Sequence, residues 1–194
     1  MQIRRSLRPS KQLVWLLLQR DKKFLVGDIG LDLAGGEGKN KRMFNVKKYI
    51  CVDIDKKRLE KLALLDTSVK TVFSSIESLD TEKINGNAVL CIQTIGINNY
   101  FNTENTLKAV QVIIDATKKR GNAIFNIGGN SLIFQNQVVD MIKKEFQHVK
   151  IIPYGKKFFD KKRSKFLSFL LSCILFILPK RKGNKCYFLC INRI

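Results

Sequence analysis

Apolar and polar residues alternate along this chain in the pattern of strands and helices that follow one another. Short apolar runs that end in polar residues or glycine are typical of buried parallel strands. Such runs occupy residues 29–33, 49–54, 69–73, 87–93, 122–127, 149–152 and 185–191. Leucine, isoleucine and valine recur at helical spacing in stretches between them, as at 56–65 and 103–119. This alternation predicts an α/β fold with a mostly parallel sheet and right-handed crossovers.

The strand pattern breaks most sharply at residues 30–40. An apolar strand that carries Asp32 runs into Gly35, Gly36 and Gly38, and a helix is predicted to follow to about residue 46. Glycine suits a turn whose backbone angles a Cβ would obstruct, and it lets a ligand approach the main chain. Backbone N–H groups at such a turn attract an anion or a polar ligand tail. An acid beside the turn disfavours a pyrophosphate and favours a ligand with a positively charged end.

A second acidic position follows the next predicted strand, which ends in Asp53 and Asp55. Asp53 lies about fifteen residues after the glycines, near the spacing expected for an acid that binds a ribose. A carboxylate there can accept both hydrogen bonds from the 2′,3′-diol. Asp55 is the alternative register.

The acid, the glycine turn and Asp53 together resemble the class I S-adenosylmethionine-dependent methyltransferases. The first motif of that family, Asp-x-Gly-x-Gly-x-Gly, corresponds here to Asp32, Ala34, Gly36 and Gly38, so Ala34 replaces the first glycine. The resemblance continues weakly to about residue 129. It implies a Rossmann-like, mostly parallel seven-stranded sheet with helices on both faces and an antiparallel last strand.

The resemblance also implies a single methyltransferase-like domain over residues 1–194. We expect an N-terminal helical segment at 1–25 and a cofactor-binding core at 26–155. A basic and apolar helical insertion at 156–184 would separate strand six from the last strand at 185–194.

S-adenosyl-L-methionine is the cofactor that the resemblance implies. The residues that it places around this cofactor are Asp32, Ala34, Gly35, Gly36, Gly38, Asp53, Ile54, Ser75, Ile76 and Gln93. The family often carries an acid after strand three for the adenine amino group, and Ser75 stands at that position here. Adenine recognition by the backbone, by Ser75 or by Glu77 therefore stays open.

The acceptor is expected near the end of strand four, since ligands lie outside the carboxyl ends of parallel strands where the strand order reverses. The candidate residues there are Gln93, Asn98, Asn99 and Tyr100. Methyl transfer from a sulfonium depends on positioning, with a base needed only for weakly acidic acceptors. No convincing base is found, because His148, the single histidine, lies at the start of predicted strand six.

Composition sets broader bounds. A chain of 194 residues, 45% of them hydrophobic, suits one domain with a full core. Cys51 and Cys91 lie inside apolar strands, which is typical of reduced cysteines in a cytoplasmic protein. Cys186 and Cys190 have no histidine nearby, so no metal site is expected. The formal net charge of +20 attracts phosphates of nucleic acid or anionic lipid, although it also suits an ordinary solvated surface.

The segment 166–178 is apolar apart from two serines. Its basic neighbours are Lys161, Lys162, Arg163, Lys165, Lys180, Arg181 and Lys182. As a helix it would extend about 20 Å, which is short of the ~30 Å hydrocarbon core of a bilayer. It is either a core helix or a helix in the membrane interface, and its flanks favour the interface. We therefore expect a cytoplasmic protein that is peripheral on the inner face of the plasma membrane.

Three classes of function stay open. A methyltransferase with a small-molecule or lipid- or polysaccharide-linked acceptor agrees best with the glycine turn, Asp53 and the apolar segment. An RNA methyltransferase agrees with the charge, but residues 93–96 lack the Asn/Asp-Pro-Pro-aromatic signature of many base-modifying enzymes. A non-catalytic, methyltransferase-like protein that binds a partner agrees with the departures at Ala34 and Ser75.

Overall fold

The computed structural model describes residues 25–92, 97, 102–128, 132–153 and 185–194. In chain order the elements are β1 (Val26–Leu33), β2 (Asn45–Asp53), α1 (Lys56–Leu65), β3 (Lys70–Phe73), β4 (Gly86–Cys91), α2 (Thr103–Asp115), β5 (Thr117–Gly128), α3 (Leu132–Glu145), β6 (Phe146–Pro153) and β7 (Lys185–Arg193). The strands form one seven-stranded sheet in the order β3-β2-β1-β4-β5-β7-β6.

The sheet is mostly parallel. Strands β1 to β5 pair in parallel, whereas β7 lies antiparallel between β5 and β6. The chain moves outward from β1 to β3 and then returns to place β4 on the other side of β1. This reversal creates a switch point at the carboxyl ends of β1 and β4, where ligands bind in open α/β sheets. The predicted fold class, with its antiparallel last strand, is confirmed.

Helices pack on both faces of the sheet. Successive strand residues point to opposite faces, so Leu33 joins the large core cluster that also contains Ile113 of α2 and Ile142 of α3. Cys51 belongs to a cluster on the other face, where it lies with Leu62 of α1. The regularly spaced apolar residues of each helix thus pack against one face of the sheet.

The helix predicted between the glycines and β2 is wrong. The structure has a single 3-10 turn, Lys41–Met43, and β2 begins at Asn45 rather than at residue 49. Residues 34–44 form the whole connection, which is shorter than the dozen or more residues that a helical crossover needs. The backbone bonds within the connection join residues three apart, as from the Gly38 N–H to the Gly35 carbonyl at 3.1 Å.

Other boundaries differ by a few residues. Helix α2 ends at Asp115 instead of continuing to residue 119, because β5 already begins at Thr117. The predicted N-terminal helical segment and the insertion at 156–184 lie outside the described residues. Within the described ranges, no helix has both the length and the apolar character needed to cross a membrane.

Candidate cofactor-binding site

We call the connection from β1 to β2, residues 34–44, the glycine loop. Ala34, Gly36 and Gly38 have φ angles of 56°, 59° and 68°, which lie in the left-handed region. Glycine adopts this region freely, whereas a residue with a Cβ is strained there by about 1–2 kcal/mol. Ala34 therefore carries strain at the position where the family motif has its first glycine.

Two glycines of the loop are required by packing. A Cβ on Gly35 would lie 2.6 Å from both Asp32 Oδ2 and Cys51 Sγ. A Cβ on Gly38 would lie 2.7 Å from Leu62 Cδ1. Each glycine thus lets the loop main chain rest directly on the side chains beneath it.

Gly36 differs from Gly35 and Gly38, because the space that a Cβ would occupy is open. The nearest atom to a Cβ built on it is Arg58 Nη1 at 3.7 Å, an ordinary van der Waals distance. The Gly36 N–H donates to Asp53 Oδ2 at 2.7 Å. The loop therefore leaves room next to Gly36 and to the carboxylate that holds it.

Asp53 ends β2 and is 8% exposed. Besides the bond from Gly36, it accepts a hydrogen bond at Oδ1 from the Asp55 N–H at 2.9 Å. A carboxylate oxygen has two lone-pair sites, so each oxygen can accept a further bond. Asp55 caps α1 instead, since Oδ1 accepts from the Arg58 N–H at 3.2 Å and Oδ2 lies 3.0 Å from Arg58 Nε. The contacts favour Asp53 over Asp55 as the acceptor of a diol.

Asp32 lies beneath the glycine loop with no exposed surface. The Tyr49 hydroxyl donates to Oδ2 at 2.5 Å, and the Asn40 side-chain amide donates to Oδ1 at 3.0 Å. The structure therefore places this predicted cofactor ligand below the loop, with hydrogen bonds to both oxygens. Sequence reasoning missed Tyr49 and Asn40, although a buried carboxylate always requires hydrogen-bond donors.

Ionisation is suppressed in the groups around Asp32. Burial, and then the negative charge of Asp32, raise the pKa of Tyr49 far above its usual range. Burial, and then the charges of Asp32 and Asp53, raise the pKa of the Cys51 thiol in the same way. The Tyr49 hydroxyl therefore stays protonated and acts as a donor, and Cys51 stays a neutral thiol.

Two large apolar side chains are exposed at the carboxyl ends of β2 and β3. Ile54 is 69% exposed and Phe73 is 63% exposed. Phe73 is the register partner of Asp53, so it lies beside the candidate ribose acceptor. Ile54 is among the site residues predicted from the sequence. Phe73 is not, because its sequence pattern is only that of the last residue of a strand.

The loop after β3 holds the remaining described candidates. The Ser75 hydroxyl is within 3.0 Å of the Ser78 hydroxyl, and the Ile76 side chain is buried in the large core cluster. Ile76 therefore offers a ligand its main chain only. Glu77 Oε2 is buried, and no described residue forms a hydrogen bond with it.

Several predicted residues lie elsewhere. Gln93, Asn98, Asn99 and Tyr100 lie outside the described residues, so their positions stay predictions. His148 lies near the start of β6, where it is exposed and paired in register with Ile191. In the described part of the chain, no three metal-ligating side chains form a group that could hold a metal ion.

No protein-family model matches the chain, and no curated protein matches it. Its structure is similar to an rRNA methylase from Streptococcus thermophilus, with 14% identity, a TM-score of 0.54 and coverage of 96% of this chain and 98% of that one. It is also similar to the N-methyltransferase NodS from Bradyrhizobium japonicum in complex with S-adenosyl-L-homocysteine, with 9% identity, a TM-score of 0.56 and coverage of 94% and 84%. A S-adenosylmethionine-dependent methyltransferase from Archaeoglobus fulgidus gives 11% identity, a TM-score of 0.57 and coverage of 93% and 94%.

At these identities the comparisons concern the fold. The solved structures include an rRNA methylase and an N-methyltransferase, and both are similar to this chain over most of its length. The strand order of this chain and its antiparallel β7 agree with the Rossmann-like sheet that the family resemblance implies. This chain has the fold of the class I S-adenosylmethionine-dependent methyltransferases.

Proposed function

We propose that this chain is an S-adenosylmethionine-dependent methyltransferase. The observation that carries the proposal is the contact between Asp53 Oδ2 and the Gly36 N–H at 2.7 Å. It fixes a carboxylate at the end of β2 against a left-handed glycine turn at the switch point of the sheet. A ribose diol and the polar tail of a nucleoside cofactor need these two features side by side.

The surrounding residues fit that cofactor. The space beside Gly36 admits a ligand against the main chain. The exposed side chains of Ile54 and Phe73 would be covered by a flat, apolar base. Glu77 Oε2 is a buried acceptor that an adenine amino group would satisfy, so we prefer Glu77 to Ser75 for this role.

When bound, this cofactor supplies an electrophilic methyl group on a sulfonium. The contribution of the chain is to bind and orient: Asp53 accepts the diol, and the glycine loop holds the polar tail. Orientation of this kind can supply several kcal/mol of a reaction barrier. The acceptor would enter at the carboxyl ends of β1 and β4, near the predicted candidates at 93 and 98–100.

Calorimetric titration with S-adenosyl-L-homocysteine tests the cofactor, and transfer of labelled methyl groups tests the activity. Saturable binding with transfer to an acceptor supports the whole proposal. Binding without transfer to any acceptor would instead favour a non-catalytic, methyltransferase-like protein. A native chain that does not bind the cofactor contradicts the proposal.

For the acceptor, we propose a small molecule or a lipid- or polysaccharide-linked compound at the inner face of the plasma membrane. The support is the sequence of 161–182, in which basic residues flank the apolar run 166–178. Labelled methyl groups should then appear in lipid extracts, and the chain should sediment with anionic vesicles in a salt-sensitive manner. Phe169→Glu with Leu170→Glu should abolish sedimentation and leave cofactor affinity unchanged.

RNA is the second candidate acceptor. The charge of +20 favours it, as does the similarity to a protein that is itself an rRNA methylase. Methyl transfer to purified RNA, with none to lipid extracts, would replace the first acceptor with this one. Failure of the double variant to fold would place the apolar run in the core, and RNA or a soluble metabolite would then be favoured over a lipid-linked acceptor.

A further inference from the structure

We propose that Tyr49 and Asn40 are positioning residues: they hold Asp32 beneath the glycine loop, and Asp32 supports the loop without contacting the cofactor. This inference rests on the proposed function, since the loop shape matters because a cofactor binds there. Tyr49 and Asn40 lie outside the family motif and gain a role here. Asp32, which was expected to bind the cofactor, becomes a support of the loop.

Burial and hydrogen bonding isolate Asp32 from the ligand side. Asp32 and Asn40 have no exposed surface, and Tyr49 is 4% exposed. Their donors reach separate oxygens of Asp32, at 2.5 Å from Tyr49 and 3.0 Å from Asn40. A buried carboxylate is tolerated only when such bonds replace its hydration. Because Asp32 has no exposed surface, no face of its carboxylate is open to a ligand.

The Asp32 carboxylate also lies directly beneath Gly35 of the loop. Its Oδ2 lies so close to Gly35 that a Cβ there would be 2.6 Å away. The Gly35 N–H donates to the Val52 carbonyl at 3.1 Å, and the next N–H, of Gly36, donates to Asp53. The carboxylate thus supports the two residues from which the loop bonds to β2.

The two donors come from different elements. Asn40 lies in the second half of the glycine loop, just before the 3-10 turn, whereas Tyr49 lies on β2. Their bonds therefore tie both the loop and the neighbouring strand to one residue of β1. Because the loop has no helix to fix its shape, these side-chain bonds take over that role.

The first test removes the charge of Asp32 and keeps its shape. Asp32→Asn retains an acceptor for Asn40, and its amide can donate to the Tyr49 oxygen. Affinity for S-adenosyl-L-methionine and S-adenosyl-L-homocysteine should stay within about threefold of native, since no contact with the ligand is lost. A loss of about tenfold or more, larger for the sulfonium than for the thioether, would overturn the proposal and restore Asp32 as the partner of the cationic end.

The second test removes a donor. Tyr49→Phe should weaken S-adenosyl-L-homocysteine binding by about tenfold, because Asp32 Oδ2 loses its partner and the loop loses its support. Amide exchange should speed up at Gly35 and Gly36 while β4 and β5 keep native rates. Tyr187→Phe, at a fully buried tyrosine of β7, is the matched control and should change neither loop exchange nor affinity.

Unchanged loop exchange and native affinity in Tyr49→Phe would overturn the proposal, whatever the change in the free energy of unfolding. Should that variant fail to fold, Asn40→Ala removes the other donor, and the same local pattern is expected. Exchange of the unliganded chain keeps this test separate from the proposed function. A native chain that does not bind cofactor contradicts that function, whereas the exchange comparison still tests the support of the loop.

Discussion

Two neighbouring crossovers of the sheet are built in different ways. The connection from β2 to β3 contains α1, which is capped by Asp55 and buries Leu59 and Leu62. The connection from β1 to β2 is the glycine loop, with one 3-10 turn and three left-handed residues. The first is held by regular backbone bonds and an apolar stripe, the second by a buried carboxylate and its donors.

The helical crossover is stabilised by many similar contacts, whereas the glycine loop is stabilised by a few particular ones. A helix tolerates many substitutions, because each of its residues adds a similar small increment. The glycine loop depends on a few close contacts, and each of these has one geometry. We therefore expect single substitutions in the loop to have unequal effects that follow the contact each residue makes.

The largest effect is expected from Gly35→Ala. The new Cβ would lie 2.6 Å from Asp32 Oδ2 and Cys51 Sγ, so the free energy of unfolding should fall by about 3 kcal/mol. Gly36→Ala is the matched control, because it makes the same change where the nearest atom is 3.7 Å away. Strain at its left-handed φ should cost the control only about 1 kcal/mol. Equal losses in urea unfolding would show that packing beneath the loop is unimportant.

Gly36→Val should affect binding more than folding. Its side chain would occupy the space that the methionine end of the cofactor needs, so affinity for S-adenosyl-L-homocysteine should fall by at least about 2 kcal/mol. The free energy of unfolding should fall by about 1–2 kcal/mol, through backbone strain. Calorimetry and urea unfolding on the same preparation compare the two losses. A variant that unfolds outright, or that binds normally, would argue against ligand approach at this residue.

A smaller effect, on stability but not on cofactor binding, is expected in the helical crossover. Asp55→Ala removes the bond from the Arg58 N–H and should lower the free energy of unfolding by about 1 kcal/mol. Cofactor affinity should not change, because the proposed ribose acceptor, Asp53, is still present. Asn102→Ala is the control, since Asn102 caps α2 in the same way by accepting from the Asn105 N–H at 2.8 Å. Weaker cofactor binding in Asp55→Ala alone would restore Asp55 as the ribose acceptor.

The smallest change is expected to be stabilising. Ala34 has a φ of 56°, so Ala34→Gly relieves strain of about 1–2 kcal/mol. Glycine makes the unfolded chain more flexible, which offsets about 0.5–1 kcal/mol of that gain. Urea unfolding should therefore show a net rise of about 0.5 kcal/mol. A decrease would mean that the Ala34 methyl group makes contacts worth more than the strain.

Much of the fold is predictable from the sequence because its signals are local. Apolar runs mark the strands, and the glycines followed by Asp53 mark the turn and the end of β2. The helix expected after the glycines was wrong because polar residues such as Lys39 and Lys41 suit a helix as well as a loop. The length of the connection becomes decisive only once β2 is known to begin at Asn45.

The partners of Asp32 could not be predicted for a different reason. Tyr49 has the pattern of a buried strand residue, and Asn40 has that of a loop residue. Their meeting depends on how β1, the glycine loop and β2 come together in three dimensions. Phe73 is similar, since its place beside Asp53 follows from the register of β2 and β3.

Calorimetric titration of the native chain and of Asp53→Ala with S-adenosyl-L-homocysteine tests the central claim most directly. The native chain should bind, and the variant should lose about 1.5–3 kcal/mol of binding free energy, the range for hydrogen bonds to a charged group. Urea unfolding of both proteins separates this loss from that of the bond to Gly36. Native affinity in a folded Asp53→Ala variant, or no binding by the native chain, would contradict the account.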